Sequence, residues 1–89
     1  MKRFIQILTT VEKKEDAEEI ANFLVEERLA ACVQILGPIS STYLWEGKVE
    51  RTREWLCLIK SKKYLYSRVE SAVKQTHSYR TQRLSPFLS

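Results

Sequence analysis

A chain of 89 residues with 44% apolar and 29% charged side chains makes one small globular domain, too apolar to stay disordered. Its formal charge of +4 invites an acidic partner such as nucleic acid, but the surplus is local: from Lys60 onward, Lys60, Lys62, Lys63, Arg68, Lys74, Arg80 and Arg83 stand against Glu70 alone. Cys32 and Cys57 are too few for a disulfide scaffold, and no apolar run approaches the roughly 20 residues of a membrane span. The first apolar stretch falls short of the roughly 7–15 residues of a signal peptide core. The expected setting is the cytoplasm, away from membranes. So small a core also makes self-association a reasonable expectation.

Residues 4–10 combine apolar and β-branched side chains in a short run closed by polar ones, which predicts a first strand. Over residues 13–29, Ala17, Ile20, Ala21, Leu24, Val25 and Leu29 recur every three or four positions and draw one apolar helix stripe. Glu12, Glu15 and Asp16 lie where the helix dipole favours acids, and Arg28 lies at the opposite end. Residues 31–44 form a second extended stretch interrupted at Gly37-Pro38. Proline has no amide to give a ladder, so the pair predicts a bulge or bend. Trp45-Glu46-Gly47-Lys48 predicts a hairpin turn, and residues 49–61 return as a third strand. A second helix is expected over about residues 63–75, with Leu65, Val69, Ala72 and Val73 on its buried stripe. The order β-α-β-β-α lacks only the final strand of a ferredoxin-like α+β domain. The tail offers Leu84, Phe87 and Leu88 broken by Ser85-Pro86, a poor strand.

Three stretches carry a resemblance: Arg28-Leu29-Ala30-Ala31-Cys32, Tyr43-Leu44-Trp45-Glu46-Gly47-Lys48 and His77-Ser78-Tyr79. In this order and spacing the chain resembles the CutA family of divalent-cation tolerance proteins from about residue 4 to residue 79. The resemblance implies a ferredoxin-like fold akin to the PII signalling proteins, and a homotrimer held by strands that cross between subunits. It also implies links to copper tolerance and copper binding, with no settled catalysis. The domain is therefore expected over 1–79, with an aberrant tail over 80–89.

The genetic code offers a reason for that tail. One DNA string for Tyr-Glu-Asn-Pro-Glu-Ile-Ile-Ala-Leu-Pro-Ile, a family-like last strand, loses a single base after its tyrosine codon. It then reads Tyr-Arg-Thr-Gln-Arg-Leu-Ser-Pro-Phe-Leu-Ser, the sequence of residues 79–89. The expectation is a frameshift. In the restored frame glutamate replaces Arg80 and Arg83, each exchange lowers the charge by two, and the formal +4 becomes zero. The nucleic-acid reading then loses its main support.

The site candidates each carry a plain structural alternative. Cys32 and Cys57 are soft donors for Cu(I), but free cysteines are also ordinary small core residues. Pairing about a turn centred on Glu46-Gly47 sets Cys32 opposite Ser61 and Cys57 opposite Leu36, too far apart for a disulfide. His77, the one histidine, suits copper; alternatively it meets the free carbonyls at a helix end. The resemblance places this histidine in a pocket near the subunit interface. The copper site proposed for one family member uses a cysteine at the end of the first strand and a pair of histidines. Here Thr9 and Thr76 stand at two of those places, leaving His77, with Cys32 as a further donor. By resemblance a ligand pocket takes Trp45, Glu46, Lys48, Lys60 and Tyr79; the alternative is hairpin packing with solvated charges.

Enzyme templates are absent. There is no Gly-rich phosphate loop, no GxSxG and no HExxH. The first loop lacks the arginine cradle of an acylphosphatase, and the third strand lacks the aromatic pattern of an RNA-recognition motif. The expected function is a non-catalytic trimeric domain for tolerance or sensing of copper or another divalent cation, with no cofactor required. The alternative is a trimeric scaffold that presents surfaces to a partner protein.

Overall fold

The computed structural model describes residues 3–76 and the strand at 85–88. The elements are β1 (Phe4–Val11), α1 (Lys14–Glu26), β2 (Cys32–Trp45), β3 (Lys48–Lys62), a 3₁₀ turn (Lys63–Leu65), α2 (Tyr66–Thr76) and β4 (Ser85–Leu88). They form one antiparallel sheet in the order β2-β3-β1-β4, the ferredoxin-like arrangement expected. Residues 85–88 take the last strand position, pairing with β1 from Ile5 opposite Leu88 to Leu8 opposite Ser85. Pro86 is tolerated there because an edge strand is paired on one side only. The other residues of the segment 80–89 lie outside the described residues.

Strict alternation makes β1 half-buried: Ile5, Ile7, Thr9 and Val11 are buried, and the residues between them are not. Their cross-strand partners Ser61, Ile59 and Cys57 are buried as well. Against this face pack Ala17, Ile20 and Leu24 of α1 and Val69, Ala72 and Val73 of α2. Leu65, expected on the second helix stripe, falls instead in the 3₁₀ turn. Full burial of each Ile, Leu or Val contributes about 1.5–3 kcal/mol.

Helix α1 stops before the expected residue 29, and its last turn shows why. Arg28 adopts the left-handed conformation, φ 59°. Its amide donates to the Val25 carbonyl, and the Leu29 amide to the Leu24 carbonyl. This is the Schellman arrangement, with arginine where glycine is usual. The loop that follows is tied down by the Ser61 hydroxyl donating to the Leu29 carbonyl at 2.6 Å and by the Ala31 amide donating to the Lys60 carbonyl at 2.9 Å.

The Gly37-Pro38 interruption is a bulge. Trp45 faces Lys48 and Ile39 faces Glu54, but Leu36 faces Leu56, so one extra residue of β2 is absorbed between Leu36 and Ile39. This corrects the cysteine pairing: Cys32 faces Lys60 and Cys57 faces Ile35, one position away from the uninterrupted register. Glycine is needed here because a Cβ on Gly37 would lie 2.8 Å from the Trp55 ring. The same ring carries Lys14 Nζ, from the start of α1, 5.4 Å from its centroid. Beyond Trp55, which faces Val11, β1 has ended. From Ile39 to Trp45 and back from Lys48 to Glu54, β2 and β3 run on alone as a two-stranded arm.

Thr9 sits in the core at 1% exposure, and its hydroxyl has no hydrogen-bond partner among the described residues. An unpaired buried hydroxyl costs about 1–3 kcal/mol. Thr9→Val, which keeps the shape and removes the oxygen, is expected to raise unfolding stability by about 1 kcal/mol in a denaturant titration. A loss of stability would mean that the hydroxyl finds a partner.

Candidate functional site

The expected pocket residues divide between the two ends of β3. Trp45, Glu46 and Lys48 sit at the arm tip. Glu46 (φ 50°) and Gly47 (φ 79°) both have positive φ, the type I′ signature that keeps the turn to two residues. Trp45 and Lys48 face each other across it, and Trp45 is 47% exposed. Lys60 lies at the far end of β3, flanked by Cys32 on β2 and Gln6 on β1. The molecule is 38 Å along its longest axis, and the arm and the sheet lie in line along β3. One chain therefore does not bring the tip to Lys60. His77 and Tyr79 lie outside the described residues.

The two cysteines have different surroundings. Cys32 is half-buried beside Lys60, on the sheet face away from the helices. Cys57 is fully buried on the helix face, opposite Thr9 and Ile35. Facing opposite ways, they form no disulfide within the chain. Burial pushes the Cys57 thiol up from 9.0 to about 11, so at neutral pH it is a protonated thiol and a poor metal ligand. Cys32 is the better donor. Among the described residues no three His, Cys, Asp or Glu side chains gather into a metal-binding group.

A different cluster stands out at the sheet end where β1 begins. Arg3, Phe4, Lys62, Lys63 and Tyr64 line a cavity of about 820 Å³. A smaller cavity of about 340 Å³ adjoins it and shares Phe4, Lys62 and Tyr64, adding Arg28, Ser61 and the Leu29-Ala30-Ala31 loop. The sequence carries a signal for it, Lys62-Lys63-Tyr64, in which cations run directly into an aromatic. In the charge pattern alone those lysines register only as part of the basic surplus.

The folded chain holds the Cys57 proton more tightly than the unfolded chain does. Stability from this group is therefore complete below about pH 9 and is lost as pH climbs toward 11. At pH 8 a thiol reagent is expected to label Cys32 in the native chain, and Cys57 only after denaturant is added. Rapid labelling of both without denaturant would contradict the burial.

The chain matches the family described as "CutA1 divalent ion tolerance protein" over residues 5–86, a span that runs past residue 79. The divalent-cation tolerance protein CutA of Archaeoglobus fulgidus is 43% identical over 81 residues, covering 91% of this chain and 76% of that protein. Its namesake from Thermus thermophilus is 42% identical over 73 residues, covering 82% and 71%. The solved structure of the divalent cation tolerance protein from Thermus thermophilus superimposes with a TM-score of 0.93 at 36% identity, over 97% of this chain and 84% of that one. The sequence identity is 42–43% over most of the chain, and the backbone superimposes closely on the solved structure. The chain belongs to the CutA1 divalent ion tolerance family.

Proposed function

We propose that this chain is a non-catalytic divalent-cation tolerance protein, working as a homotrimer that binds or senses copper or another divalent cation. The names carried by its relatives support the tolerance role. The observation that carries the assembly is the arm. A lone two-stranded ribbon is marginal in water, yet this one leaves Leu44 74% and Val49 60% exposed. At its base Glu54 is only 3% exposed and makes no ion pair among the described residues. Neighbouring copies that cover the arm would bury the apolar pair and could offer Glu54 a cation.

The same assembly gives the dispersed pocket residues a way to meet. Trp45, Glu46 and Lys48 of one copy would approach Lys60 of another, with Tyr79 completing the pocket. His77 and the half-buried Cys32 are the proposed cation donors, a soft and borderline pair suited to copper. The two free thiols support a cytoplasmic setting.

Light scattering at micromolar concentration is expected to give three times the chain mass; a monomer would sink the assembly. Copper titration of the trimer is expected to saturate at a fixed stoichiometry, and His77→Ala to abolish it. A trimer without saturable copper binding would favour the scaffold reading, in which the assembly presents surfaces to a partner protein.

We also propose that residues 80–89 are an out-of-frame replacement for the family's last strand. The one-base relation between the two readings supports this. Restoring the frame is expected to raise the melting temperature by several degrees, the shift that about 1 kcal/mol brings in a domain this small. An unchanged melting temperature would count against it.

A further inference from the structure

The cavity at the start of β1 is well placed to take an anion. Arg3, Lys62 and Lys63 line its larger part and Arg28 its smaller one, and among the described residues no carboxylate side chain lines either. Like charges that line one cavity repel one another, and an anionic ligand relieves that repulsion. Their positions are fixed by backbone. Lys62 is paired with Phe4 across the β1–β3 ladder, and the Lys63 amide donates to the Arg3 carbonyl at 2.8 Å. Arg28 is set by the left-handed end of α1.

Beside these cations stands an aromatic side chain that the core does not use. Tyr64 is 76% exposed, and Lys62 Nζ lies 6.0 Å from its ring centroid. Phe4 lines both cavities with it. An exposed ring next to a cation cluster offers a planar ligand a surface to stack on. A volume of about 820 Å³ lies within the roughly 300–1,000 Å³ typical of small-ligand sites.

We propose that this end of the sheet binds a phosphorylated planar ligand of mononucleotide size, its phosphate held by Arg3, Lys62 and Lys63 and its ring stacked on Tyr64. Arg3 supplies the fork that meets two phosphate oxygens at once, and the lysines act as point charges. The site lies at the end of β3 away from the arm tip, and it contains none of the proposed cation donors. The two readings therefore stand or fall separately.

The test is calorimetric titration of the full chain with AMP, adenosine and inorganic phosphate in separate arms, and with a single-stranded oligo(dA) ten-mer as a fourth. AMP is expected to bind at least tenfold more tightly than adenosine or phosphate. Arg3→Gln combined with Lys62→Gln and Lys63→Gln should weaken AMP at least tenfold. Tyr64→Ala should bring AMP down to the level of phosphate while leaving phosphate binding unchanged. All four residues line the surface, and circular dichroism checks that each variant remains folded. AMP binding no better than phosphate, or undiminished in the triple variant, would overturn the proposal. So would an oligonucleotide that binds far more tightly per chain than AMP, because the cations would then follow a backbone rather than enclose one ligand.

Discussion

The length of β3 governs this fold. It pairs with β2 from Lys48 to Lys60 and with β1 only from Trp55 to Lys62, so the sheet has a full half and a bare half. In the full half, alternation sends Cys57, Ile59 and Ser61 toward the two helices and closes the core. In the bare half the same alternation continues with nothing to cover it. Core and arm are two outcomes of one strand, divided at Trp55. There the indole meets both the glycine of the bulge and the first lysine of α1.

Much of this was legible in the sequence because it depends on local periodicity. The three- and four-residue spacing along α1, the strict alternation of β1 and the Glu46-Gly47 turn each specify their element without help from the rest of the chain. What escaped were features decided by contact. The stop at Arg28 could not be foreseen, because arginine is a helix former and its left-handed backbone comes from the carbonyls it closes. The bulge was visible in Gly37-Pro38, but its size was not, and one residue was enough to move both cysteines onto new partners. The tail misled for a related reason. Proline argues against a central strand, whereas position at the edge removes the objection.

The site was less legible than the fold. Trp45, Glu46, Lys48 and Lys60 carry the family pattern, yet a single chain holds them at opposite ends of its longest strand. In the proposed trimer they would meet only between copies, and a meeting of that kind leaves no trace in the spacing of one chain. The basic cavity shows the reverse case. Arg3, Arg28 and Lys62-Lys63-Tyr64 are scattered in sequence and meet only because the start of β1, the end of α1 and the end of β3 lie at one corner.

The bulge has a further consequence for how such chains can change length over time. Before it, odd-numbered residues of β2 such as Val33 and Ile35 share the helix face with Ile59 and Cys57. After it, Ile39 shares a face with Glu54, on the other side of the sheet. Losing one of the two bulge residues would leave Leu36 opposite Leu56 and Ile39 opposite Glu54 with a single residue facing Trp55, a regular ladder in which no side chain of the arm changes face. Removing two residues from each strand near the tip would leave the phase intact and only shorten the reach. A lineage can therefore lengthen or trim this arm in even, paired steps at the tip, while Gly37-Pro38 is the one place where β2 carries an odd residue without disturbing the pairs on either side.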